Sequence, residues 1–453
     1  MQQGALDATA LQQGQGLKKV LRTRDLVVFG MVFMAPVSAQ TLFGELTQVS
    51  QGHAVMAYLI GLVAMIFTAF CYGKMAGAFP KAGSTYNYTS QAIHPNLGFM
   101  AGWAILLDYL FLPILLYKLS AIFAMELVPF VPFWLMLFVF VIPVTLSNIL
   151  GAKTTSRVNM GMTALMLLSL VLFIAFAIKA VHGGVGLGNI LALEGIYNAN
   201  TFSMSAVISG ASIAVLSYLG FDAVTTMAED SRVTGKMVGR GAVLALLISS
   251  FFYILQVYFA TVAAPDFTSF QSQDTAFFEI AVAVGGNALA TVCTLIIAVS
   301  GIATALAGQA SASRVLYGMG RDGMLPNLFS KLNPRFKTPV NSILILGAVG
   351  YLAALLIPLE VIFAIMVYGA LLGFICVNVS VIVEFYYRRK ERTGKYVFTN
   401  LLFPLIGSLV CGYIFIGMDT VGLIVGTCWI LVGFVFLIVT TKGFKQAPNV
   451  FDV

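Results

Sequence analysis

Asp222 is the residue with the most chemistry to explain. It closes the run Ser217, Tyr218, Leu219, Gly220, Phe221, Asp222, inside an otherwise apolar stretch. A carboxylate within a bilayer costs on the order of 2.5–3.5 kcal/mol, so such a group is paired, faces a cavity or carries a proton. For Asp222 two readings stand side by side: contact with a proton or an amine, or a carboxylate that accepts hydrogen bonds from helix ends and never titrates. Asp108, a second candidate for contact with a proton or an amine, shares another apolar run with Lys118. Ten residues of helix put them on roughly one face but about 15 Å apart, too far to pair. A Lys118 facing a cavity would mimic a bound cation and repel a cationic solute, whereas a snorkelling Lys118 would do neither.

The elements that must position these groups are membrane helices. Apolar residues make up 59% of the 453 positions and charged residues 9%, against about 25% charged in a soluble domain. Apolar runs of about 20 residues, each long enough to span a bilayer, recur about twelve times between residues 25 and 441. The expected fold is therefore an all-α integral membrane protein. The first 20 residues lack an apolar signal core, so the first run is expected to remain as a span. All but two of the 25 Lys and Arg, Lys118 and Lys179, fall on the face that carries the N-terminus. By the positive-inside rule that face is cytoplasmic, with both termini there, in a cell inner or plasma membrane.

Two spans are not plain helices. The first carries Pro36, then Ser38, Ala39, Gln40, Thr41 and Gly44, and Pro36 removes an amide donor from the ladder. The sixth carries Gly210, Ser212 and the run ending at Asp222. The interruptions lie about 180 residues apart, each in the first span of a five-span half, as in transporters with inverted repeats and a midplane site. Two merely kinked structural helices are the alternative. The division expected is a tail (1–20), helices 1–5 (21–201), helices 6–10 (202–386), two further helices (387–441) and a second tail (442–453).

The basic residues lie between spans rather than on one face of a soluble domain, so the net charge of +7 does not indicate nucleic-acid binding. The five cysteines lack metal-ligand or disulfide spacing. No HExxH, GxSxG or Walker A run is present, and the three histidines are scattered. No cofactor, metal or catalytic group is expected, and membrane lipid and a small solute are the expected partners.

Three stretches resemble the amino acid–polyamine–organocation superfamily of permeases: residues 69–103 (AFCYGKMAGAFPKAGSTYNYTSQAIHPNLGFMAGW), 216–230 (LSYLGFDAVTTMAED) and 308–326 (GQASASRVLYGMGRDGMLP). Their order and topology match. The resemblance implies five plus five inverted helices with two appended, discontinuous helices 1 and 6, alternating access, and a solute held where those helices unwind. The segments GFDAVTT and LLDYLFLP look most like the bacterial putrescine-importer branch. The chain departs from that branch at APVSAQTLFG, residues 35–44, which lacks the usual glycine-rich turn and has Thr41 where putrescine importers carry an acid.

On this resemblance the function expected is secondary transport of an amino acid or related amine, proton-coupled or exchanging. A polyamine or putrescine importer is the alternative, and a transporter-like receptor or channel the alternative of another class. Amides around Ser38–Thr41 would cradle a carboxylate and carbonyls around Ser217–Gly220 an ammonium, with Tyr218 or Phe221 as an aromatic gate. Thr294, Ser300, Thr304 and Ser311 offer hydroxyls of the kind that hold sodium in relatives, or that simply pack between helices. Glu229 and Asp230 are expected to pair with Arg232, Arg240 or Arg321.

Overall fold

The computed structural model describes residues 22–79, 84–150, 156–226, 234–321, 326–336 and 338–444. Among these, nine helices are long and apolar enough to cross a membrane. A tenth span is a helix pair bent by 63°, and two shorter apolar helices, Phe133–Ile149 and Val340–Leu356, fill the remaining expected positions. The chain is an all-α, multi-pass membrane protein.

The first span is built from α1 (Thr23–Met34), α2 (Ser38–Thr41) and α3 (Phe43–Val49). Its break follows from Pro36. Proline disfavours helical geometry in the residue before it, and Ala35 takes φ 45°, outside the helical region. A broken helix frees carbonyls that must find other donors in an apolar surrounding. Here the donors come from one long helix further along the chain. Gln256 donates its amide to the Pro36 carbonyl at 3.0 Å, and the Tyr253 hydroxyl lies 2.5 Å from the Met34 carbonyl.

The following elements are α4 (Ala54–Ala78), a short α5 (Ser84–Ala92), α6 (Pro95–Leu127), α7 (Phe133–Ile149) and α8 (Ser156–His182). The sixth span is α9 (Met204–Tyr218) and α10 (Ala223–Thr226), separated by Leu219–Asp222. Gly220 makes that separation feasible with φ 106°, a conformation that residues with a Cβ rarely adopt. The helix carrying Tyr253 and Gln256 is α11 (Gly235–Ala263). It is followed by α12 (Ala276–Arg321), which is interrupted at Gly286. The last elements are α13 (Val340–Leu356), α14 (Leu359–Val381), α15 (Lys395–Val397), α16 (Phe403–Ile416) and α17 (Thr420–Thr440).

Two packed groups frame the broken spans. In one, α4 lies along α11; in the other, α6 lies along α12 and α14. The appended α17 is fastened to α6 by two tryptophans. Trp103 and Trp429 stack with centroids 4.8 Å apart, and each indole N–H donates to the other's backbone carbonyl at 2.9 Å. Both polar edges are thereby satisfied inside an apolar interface, as buried indoles require.

Candidate solute site

The two breaks and the middle of α6 enclose one cavity. It offers about 80 Å³ in which the centre of a water molecule fits. That is more than a single water needs, so the cavity has room for a small solute.

Ser38 and Thr41 line it from α2, Leu219, Gly220 and Asp222 from the α9–α10 break, and Asp108 from α6. Ser38 and Thr41 are three residues apart and so share a helix face. Ala39 and Gln40 fall on the other face and are buried away from the cavity. Ser217 is also outside the lining, because its hydroxyl is 2.7 Å from the Tyr58 hydroxyl and its carbonyl faces Tyr253 at 2.8 Å.

The expected aromatic gate is placed elsewhere. The Tyr218 hydroxyl donates to the Tyr58 carbonyl at 2.9 Å, and Phe221 packs against Tyr72 and Phe374 with centroids 5.5 and 5.2 Å away. Neither touches the cavity. The aromatic rings that do are Phe33, in the last turn of α1, and Tyr109, which follows Asp108. A sequence signal existed for Tyr109. Pro113 lies four residues later in α6 and lacks the amide that would pair with the Tyr109 carbonyl. LLDYLFLP thus marks a freed acceptor beside a buried acid.

The two carboxylates are held differently. Asp222 is buried, and backbone amides of Asp222, Gly220 and Ala223 directed at its carboxylate offset only part of the cost of burying that charge. Asp108 is within reach of the Asp222 charge, and its Oδ1 is buried with no hydrogen-bond partner among the described residues. A buried acceptor left unmatched costs about 1–3 kcal/mol, more when charged. Among the described residues no lysine, arginine or histidine lines the cavity.

Lys118 belongs to the opposite end of α6 from the N-terminal face. Its ammonium donates to the Ile357 carbonyl at 2.5 Å and lies near Asp274 and Glu360. It therefore neither mimics a cation in the cavity nor repels one there. Ser300 and Thr304 of α12 reach the cavity, whereas Thr294 does not. Their hydroxyls donate back to carbonyls of their own helix, Ile297 at 2.8 Å and Ser300 at 3.4 Å. Glu229, Asp230 and Arg232 lie outside the described residues, and of Ser311 and Arg321 only the backbone is described.

Comparison with known proteins gives the class of molecule this site belongs to. The family model for amino acid permeases matches residues 26–451, and the chain belongs to that family. The low-affinity putrescine importer of Escherichia coli is 31% identical over 440 residues, covering 96% of this chain and 97% of the relative. The branched-chain amino acid permease of Bacillus subtilis is 26% identical, covering 95% and 94%. The methylthioribose transporter of the same organism is also 26% identical, covering 94% of each.

Proposed function

We propose that this protein is a secondary transporter that moves a small amino acid or amine across the inner membrane by alternating access. The basic face carrying the N-terminus is then cytoplasmic, and residues 21–201 and 202–386 act as inverted repeats around the cavity. The observation that carries the reading is Asp108, a buried carboxylate with an unmatched oxygen in a cavity without cations. An ammonium group supplies what that oxygen lacks. Neutralising Asp108 also lowers the cost of moving the loaded site through the bilayer. An empty carrier would need a proton on the same carboxyl to make the return step, which couples the cycle to protons or restricts it to exchange.

For an amino acid, the solute carboxylate has a donor at the first break. Val37 lines the cavity, and its amide makes no backbone hydrogen bond among the described residues. For a diamine, Asp222 supplies a second anionic partner, an arrangement favoured by the absence of any cation in the lining.

The deciding test is uptake by protein reconstituted into liposomes, with small amino acids and diamines as competitors. Asp108→Asn is expected to lower affinity for an amine at least tenfold while the protein stays folded in a thermal melt. Unchanged uptake and affinity in Asp108→Asn would remove the proposed ammonium site.

A further inference from the structure

A second site lies on the N-terminal face, away from the solute cavity, where α4 and α11 meet the segment joining α14 to α16. The two helices touch there through backbone. A Cβ on Gly239 would fall 2.3 Å from the Gly73 Cα, and one on Gly235 would fall 2.6 Å from the Gly77 Cα. Glycines four apart on both helices let the backbones close up. With no side chains to fill the crease, a groove of about 870 Å³ remains above it.

Five cations line this groove, Lys74, Lys236, Arg240, Arg389 and Lys395, and among the described residues no acid does. Two of them are already engaged. Lys74 donates to the Asn400 side chain and stands 4.0 Å over the Phe385 ring, and Arg389 pairs with Glu384 at 2.8 Å. The other three, Lys236, Arg240 and Lys395, are exposed and have no acidic partner among the described residues. Among the described residues, three charges without an acidic partner thus share one concave site, which suits an anion.

The groove's wall identifies the source of that anion. Phe70 lies one helical turn from Lys74 and Leu244 one turn from Arg240, each about 6 Å deeper into the apolar layer. Leu244 is 46% exposed, so the apolar wall is open sideways to hydrocarbon. A free phosphate would use the cationic rim alone. A phospholipid uses both the rim and the wall.

We infer that this groove is a binding site for an anionic phospholipid, with the headgroup phosphate on Lys236, Arg240 and Lys395 and an acyl chain along Phe70 and Leu244. Basic recesses between membrane helices on a positively charged face suit such headgroups, and each nearby Lys or Arg strengthens attachment by roughly fivefold.

The full-length protein in detergent, equilibrated with an equal mixture of phosphatidylglycerol and phosphatidylcholine, tests this by native mass spectrometry of the retained lipid. Wild type is expected to retain phosphatidylglycerol preferentially. The variant Lys236→Gln/Arg240→Gln/Lys395→Gln is expected to lose that preference, by roughly a hundredfold. A control with the same charge change elsewhere on this face, Lys331→Gln/Arg335→Gln/Lys442→Gln, is expected to keep it. All six side chains are exposed, and Arg240→Gln alone provides a milder variant. Equal retention by the groove variant and wild type would overturn the site. Loss of preference in the control would reduce the effect to net charge. Displacement of the lipid by millimolar inorganic phosphate would assign the groove to a free anion instead.

Discussion

The Tyr253 hydroxyl lies 2.8 Å from the Ser217 carbonyl and 2.5 Å from the Met34 carbonyl, so one side chain of α11 ties the end of α9 to the end of α1. Both carbonyls were freed by the helix breaks. The two halves of the cavity wall thus share a donor on a helix that contributes nothing to the lining.

Tyr253→Phe separates stability from function. Interhelical hydrogen bonds in membranes average only about 0.6 kcal/mol, so melting in detergent is expected to shift by a few degrees or less. Uptake is expected to fall much further, about tenfold or more, because the relative position of the breaks is lost. Equal, small losses in both would mean that the hydroxyl merely packs.

Gly220→Ala is expected to abolish solute binding. The new Cβ would combine a φ of 106° with a contact of 2.9 Å to the Phe33 ring. Strained backbone of this kind costs on the order of 1–3 kcal/mol, and the segment also presents the amides that hold Asp222. A thermal-shift titration with the best solute checks it, with loss of the ligand-dependent shift as the expected result.

Gly301 and Ser120 make a pair suited to a double-mutant cycle. A Cβ on Gly301 would sit 2.0 Å from the Ser120 Oγ, and both residues line the cavity. Gly301→Ala alone is expected to weaken solute affinity by pushing Ser120 into the cavity. Adding Ser120→Ala removes the clashing oxygen and leaves only its Cβ at 3.4 Å. The double variant is expected to regain most of the affinity, and additive losses would refute the steric account.

Asp274, in the loop before α12, gives a pH dependence of stability. Its carboxyl is pushed above the ordinary value of 3.8 by burial and then by the Glu360 charge, with Lys118 opposing. The folded protein therefore binds this proton more tightly than the unfolded chain. The stabilisation is complete below pH 3.8 and is lost as pH rises from there through the raised value. Asp274→Asn is expected to flatten that part of the melting-temperature profile and to raise stability at neutral pH. An unchanged slope would show that Asp274 ionises normally.

Lys118→Met is expected to leave solute affinity within about twofold of wild type, since the ammonium serves the Ile357 carbonyl outside the cavity. A large change in affinity, measured by competition in uptake, would place the charge closer to the solute than the geometry does.

The sequence by itself determined the membrane class, the positions of the spans and the two interruptions, because each rests on local rules. Bilayer thickness fixes run length, Pro36 has no amide to give, and Gly220 tolerates a backbone that other residues resist. Asp108 and Asp222 stood out for a similar reason: a carboxyl group in an apolar run is costly wherever it points. Direction was the part that sequence could not supply. Thr41 and Gln40 are neighbours, yet only Thr41 reaches the cavity. Phe221 and Asp222 are neighbours, yet one packs on Tyr72 while the other faces the solute space. For Thr41 and Gln40 the short helix sets the face once its own position is fixed, whereas in the unwound segment around Gly220 the helical period no longer sets which side chain faces inward. The facing is decided by contacts from distant elements, here Tyr253 and Gln256 of α11 and the aromatic cluster of α4 and α14. The same holds for the lipid groove, whose five cations come from three stretches of chain that only tertiary packing brings together.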